Sequence, residues 1–131
     1  MVTPPRRFRL TLLAGRYAVC RLEAHAPLPA WADGAGLVSI TRTADELSIV
    51  CREERVPEGV RAEKGWRCLA LEGPIPFSMT GVLASLSGAL ADAGVSVFAI
   101  STFDTDYLLV PEAELETGLA ALTTAGHEIR E

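Results

Sequence analysis

The sequence predicts an α+β fold, antiparallel sheet with helices on one face, organised as two related units of which the first is incomplete. Three observations lead there. Residues 66–131 alternate strand-like and helix-like segments in the order β-α-β-β-α-β. Two segments in that stretch repeat leucine at helical spacing. The residues before 63 hold several strand-like runs but no long amphipathic helix.

Residues 8–13 and 17–22 are short apolar runs separated by Ala14, Gly15 and Arg16. Tyr17, Val19 and Arg21 alternate with Ala18, Cys20 and Leu22, the period of a strand with a buried face. Gly15 can take the positive φ of a tight turn, so a hairpin between the two runs is expected. Pro27 and Pro29 kink the connection that follows, with room for one helical turn after Pro29. Residues 36–40 read as a strand. Thr43, three residues before Glu46, has capping-box spacing, so any helix there is a single turn. The β-branched content of residues 47–51 makes them a strand. Residues 52–64 are polar, hold Pro57 and Gly59, and read as a loop joining two sub-modules.

In the second half, residues 66–71 form a strand ending at Glu72-Gly73-Pro74. Pro74-Ile75-Pro76-Phe77 is stiff, because each proline fixes its own φ and biases its predecessor away from helix. A helix over 78–93 follows, capped by Ser78 or Thr80, with Val82, Leu83, Leu86 and Leu90 on one face and Gly94 at its end. Residues 95–102 are a strand, Asp104-Thr105-Asp106 a polar tip, and residues 107–110 the return strand. Pro111 stands where a helix can begin, and Leu115, Leu119 and Leu122 form a second stripe closed by Gly126. Residues 127–130 suit a short last strand. This is the split βαβ order of a ferredoxin-like unit, which divides the chain into an incomplete subdomain, 1–62, and a complete one, 63–131.

A chain of 131 residues that is 49% apolar and 22% charged can bury a core, which excludes disordered and collagen-like classes. No apolar run approaches the roughly 20 residues of a membrane span. Arg6, Arg7 and Arg9 precede an apolar stretch, but Arg16 and Arg21 interrupt it, so it reads as a strand and not as a secretory signal. A cytoplasmic protein is expected. The net charge of −5, with its basic residues scattered, speaks against a nucleic-acid surface. Cys20, Cys51 and Cys68 lack CxxC spacing and lie in apolar runs, remote in sequence from His25 and His127. They suggest buried thiols, not a disulfide framework or a metal site. Motifs for a nucleophile elbow, a phosphate loop, a zinc protease or a dinucleotide site are missing. The expectation is therefore no enzyme and no cofactor.

Two loops carry chemistry. Asp104 and Asp106, two apart in an extended tip, can point the same way and either coordinate a cation or receive an ammonium or guanidinium group. Aspartate is equally a common turn residue. Ser101, Thr102 and Thr105 add hydroxyls around them. In a split βαβ unit, the loop from Glu72 through Ser78 lies at the same sheet edge. Free N–H groups at the helix start, from Met79 to Val82, can hold a carboxylate, and Gly81 lets a ligand approach the backbone. An ordinary capped helix behind a rigid turn has the same sequence. Side by side, anion-binding amides and an acidic tip match the two opposite charges of an amino acid. A third candidate is the run of alternate hydroxyls Ser39, Thr41 and Thr43 on one strand face, with Arg42 either solvated or paired with a ligand carboxylate.

Ser39-Ile40-Thr41-Arg42-Thr43 with Leu47-Ser48-Ile49-Val50-Cys51, Leu71-Glu72-Gly73-Pro74, and Ser101-Thr102-Phe103-Asp104-Thr105-Asp106-Tyr107 together resemble a family of small bacterial ACT-domain-like proteins. That family is similar to the cytosolic arginine sensor and to aspartate kinase regulatory domains. The resemblance implies tandem ACT-like units, dimerisation of identical chains by sheet or helix pairing, and a small ligand, an amino acid above all, bound where units meet. It also implies a separate regulated protein, since the chain carries no catalytic domain. A Thr-Phe pair and an aspartate three residues after the Phe contact the ligand in the arginine-sensing relatives, which matches Thr102, Phe103 and Asp106. The serine of the earlier strand and the residue after it match Ser39 and Ile40. The candidate ligand-binding set is thus Ser39, Ile40, Gly73, Ser78, Gly81, Thr102, Phe103, Asp104 and Asp106, with no catalytic residue and no metal ligand. The other reading is a structural or protein-interaction module with a vestigial site. The two differ in whether residues 73–81 and 101–106 meet at a hollow or are filled by Phe77 and Phe103.

Overall fold

The computed structural model describes residues 7–131; Arg6 and the first residues of the expected subdomain 1–62 lie outside the described residues. The strands are β1 (Arg9–Leu12), β2 (Tyr17–Leu22), β3 (Ser39–Arg42), β4 (Leu47–Arg52), β5 (Arg61–Leu71), β6 (Phe98–Ser101), β7 (Asp106–Pro111) and β8 (Glu128–Arg130), and the helices are α1 (Val82–Asp92) and α2 (Leu115–Thr124). Among the described residues, no helix is long and apolar enough to cross a membrane. Two compact units form, one of Ala14–Trp66 and one of Arg67–Glu131 with residues 7–13.

The unit Ala14–Trp66 has the strand order β3-β4-β2-β5, all antiparallel, with β5 contributing its first residues. Period-2 alternation puts Ala18, Cys20, Leu47, Ile49 and Cys51 on one face, where they form a core with Ala32 and Val56. Residues 61–64, expected in a loop, are strand because they pair with β2, Val19 opposite Glu63 and Arg21 opposite Arg61. The single helical turn expected after Pro29 is the 3₁₀ turn Ala30–Ala32. No helical turn forms at Thr43. Its hydroxyl does accept N–H groups of Asp45 and Glu46, each at 3.1 Å, but the Thr43 N–H closes onto the Glu46 carbonyl and makes a hairpin. Arg42 is exposed to solvent, and its guanidinium also donates to the carbonyls of Ala24 and Ala26.

The second unit orders its strands β6-β7-β5-β1-β8. Strand β1 separates β5 from β8, antiparallel to β5 with Leu10 opposite Leu71, and parallel to β8 with Arg9 opposite Glu128. Thus β1 belongs with residues 67–131, and not in a hairpin with β2. The cause is burial: Phe8 and Leu10 join a core with Leu69, Leu71, Leu86, Leu90, Leu108, Val110 and Leu122, where two helices cover the sheet. The helical stripes fall as their spacing predicts, with Val82, Leu86 and Leu90 buried on α1 and Leu122 on α2. At the sheet margin the buried His127 Nδ1 accepts the Phe8 N–H at 3.1 Å and its ring stacks on Phe8.

Helix α1 starts at Val82, four residues later than expected, because Gly81 is its N-cap at φ +77°. That left-handed conformation cannot continue a right-handed helix backwards, so Ser78 falls in a turn closed by the Met79 N–H on the Pro76 carbonyl.

Candidate functional site

The strand-to-helix loop 72–81 and the β6–β7 tip 102–105 meet in the second unit, joined by two hydrogen bonds. The Ile75 N–H donates to the Asp104 carbonyl at 2.6 Å, and the Thr105 hydroxyl donates to the Leu71 carbonyl at 2.6 Å. Gly73 permits this approach: a Cβ there would lie 3.0 Å from the Asp104 carbonyl oxygen and 3.1 Å from the Thr105 Cβ. The Gly73–Pro74 peptide in this turn is cis. The tip is folded on itself, with the Thr102 N–H donating to the Thr105 carbonyl at 2.8 Å and the Thr105 N–H to the Thr102 hydroxyl at 3.2 Å.

Between the loops and the start of α1 lies an open cavity of about 330 Å³. Ile75, Phe77, Met79, Val82, Leu83 and Phe103 supply an apolar wall, and Ser101, Thr102, Thr105 and Asp106 supply the polar side chains. Asp106, half-buried at the start of β7, is the only charged residue in the lining. The first turn of α1 opens on the same cavity through Gly81, Val82, Leu83 and Ala84, and its N–H groups receive no side-chain cap. Phe77 and Phe103 pack edge to face, 4.9 Å between centroids and 83° apart. They remain 74% and 78% exposed, so they stand at the mouth and leave the hollow open.

Of the candidate residues, Gly81, Thr102, Phe103 and Asp106 line the cavity. Gly73 supports it from behind without lining it. Ser78 and the Asp104 side chain are exposed and outside the lining; Asp104 takes part only through its carbonyl. Ser39 and Ile40 lie on β3 of the other unit, opposite Val50 and Ile49. The apolar wall of Ile75, Met79, Val82 and Leu83 was not singled out from sequence, where these side chains look like core. The rigid Pro74-Ile75-Pro76 segment was the available signal, since it holds Ile75 and Phe77 outside the helix.

The thiols offer no reactive group. Burial pushes Cys20 up to about 11, with help from the neighbouring Cys51, and Cys68 up to about 12. Cys51 is raised by burial too. Among the described residues there is no group of three or more His, Cys, Asp or Glu side chains placed to hold a metal ion.

The family model of the ACT domain matches residues 61–124, and a model of an N-terminal domain matches residues 15–59. A protein of Agobacterium tumefaciens, solved by X-ray crystallography, is 47% identical with a TM-score of 0.90, over 95% of this chain and 92% of that one. Residues 61–124 of the chain match the ACT domain family. Two further likenesses are more distant, one short in length and one low in identity. The human cytosolic arginine sensor for mTORC1 subunit 1 is 44% identical over 48 residues, which is 36% of this chain and 15% of the sensor. The match therefore spans only a small part of that curated relative. The regulatory subunit of aspartate kinase from Thermus thermophilus shares the fold, with a TM-score of 0.63 at 12% identity over 89% of this chain and 96% of that one.

Proposed function

We propose that the chain is a regulatory domain that binds an amino acid and catalyses nothing itself. One observation carries this reading: the two loops converge on an open hollow where a single carboxylate, Asp106, faces the uncapped start of α1. Asp106 would receive the ligand's ammonium, and the first-turn amides of α1 its carboxylate. Thr102 and Phe103 would contact the rest. In this reading the chain works in the cytoplasm as a homodimer and passes its signal to a separate protein, with no part for nucleic acid or membrane. The names of the arginine sensor and of the aspartate kinase subunit lend support, because both describe regulation around amino acids.

A thermal-shift panel of the twenty amino acids at millimolar concentration tests it. A ligand at about 100 times its Kd adds about 2.7 kcal/mol to the native state, so at least one member should raise Tm clearly. Asp106→Ala should abolish that rise. A flat panel refutes the reading. The exposed Phe77–Phe103 pair favours a second one, a protein-interaction module. There the panel is silent, while Phe103→Ala changes self-association in light scattering.

A further inference from the structure

We infer that the cavity selects amino acids with an uncharged, apolar side chain over basic and acidic ones. The inference rests on the amino-acid reading above and adds the class of side chain. Its first ground is charge. Asp106 is the only charged residue in the lining, so the walls balance one cationic group. An amino acid with a neutral side chain brings one ammonium and meets that number. Arginine and lysine bring two cationic groups, and the Asp104 side chain, exposed and outside the lining, supplies no second carboxylate. Glutamate and aspartate bring a second carboxylate into a cavity whose lining holds an aspartate and no basic side chain.

The second ground is the wall. Ile75, Phe77, Met79, Leu83 and Phe103 face the hollow with carbon and sulfur, and both aromatic rings are left mostly exposed. An apolar ligand side chain laid against them removes apolar surface on both partners from water. A guanidinium on the same rings gains a cation–π contact, which at an exposed site is the smaller gain and leaves its hydration partly lost. The volume of about 330 Å³ lies at the small end of ligand sites and suits a side chain the size of leucine, methionine or phenylalanine.

Isothermal titration calorimetry on the full chain tests this with leucine, methionine, phenylalanine, glycine, arginine and glutamate. At least one of the first three should bind about tenfold or more tighter than glycine, arginine and glutamate, since each buried methylene alone discriminates on that scale. Phe103→Ala should narrow the gap between that ligand and glycine. Arginine or glutamate binding as tightly as the apolar three overturns the inference and leaves the amino-acid reading standing. Silence from all three apolar ligands also overturns it; if the full panel of twenty is silent as well, the amino-acid reading falls with it. A gap unchanged in Phe103→Ala removes the aromatic wall as its cause.

Discussion

Replacing Gly73 with alanine strikes the point where the two loops of the site touch. The added Cβ would stand 3.0 Å from the Asp104 carbonyl oxygen, 3.1 Å from the Thr105 Cβ and 3.3 Å from the Ile75 nitrogen. Two of these are backbone atoms, and they are bonded to each other at 2.6 Å, so neither can swing aside as a side chain would. Gly73 is not among the positive-φ glycines, so the destabilising part of the change is crowding and not backbone strain. Overpacking of this kind costs about 1–3 kcal/mol. Gly88, inside α1, is the internal control, because a Cβ there meets nothing within 4 Å. Alanine at 88 should stabilise by about 0.5–1 kcal/mol through helix propensity alone. The two variants should therefore lie about 1.5–4 kcal/mol apart on either side of the wild type. Urea unfolding under one buffer reads this directly, with the slope m unchanged if only the native state is affected. Gly73→Ala as stable as the wild type would refute the close approach of the loops, and with it the cavity they enclose.

Two further predictions concern buried titratable groups. Burial holds the His127 imidazole below its ordinary value of 6.5. The unfolded chain then binds this proton more readily, so the contribution is full above pH 6.5 and is lost as pH falls below it. Urea midpoints at about pH 7.5 and about pH 5.5 should show the decline, and His127→Gln should flatten it; an equal slope in that variant rules His127 out. Cys20, Cys51 and Cys68 are buried with raised thiol values. A maleimide should label the native protein slowly and all three sites quickly in urea, and rapid native labelling would contradict their burial.

How much of this was legible in the sequence depends on what fixed each element. The stripes Val82-Leu86-Leu90 and Leu115-Leu119-Leu122 announce α1 and α2, because their periods are those of a face laid on a sheet. The start of α1 is not legible, since a glycine at 81 permits a helical φ and the observed +77° alike. The first residues of β5 are polar and read as loop; only their hydrogen-bonded partners on β2 make them a strand. Phe8 and Leu10 show that something apolar is to be buried, but not by which unit. In the site, the Thr102-Phe103 pair and Asp106 stand out by type and spacing. Ile75, Met79 and Leu83 do not, because a side chain that lines a hollow and one that fills a core are written with the same letters. Arg42 shows the converse, a conspicuous cation whose guanidinium donates to two backbone carbonyls.

The insertion of β1 between β5 and β8 has a consequence for how the protein comes into being. Arg9 lies beside Glu128, so β1 finds its β8 partner only when synthesis has passed residue 130. Until then the leucine at position 10, fully buried in the finished fold, can be covered only in part. Long-separated pairings of this kind close late, after loop entropy has been overcome. The second unit is therefore not built from one continuous stretch of message. A nascent chain must keep β1 unspent, shielded or soluble, until β8 arrives.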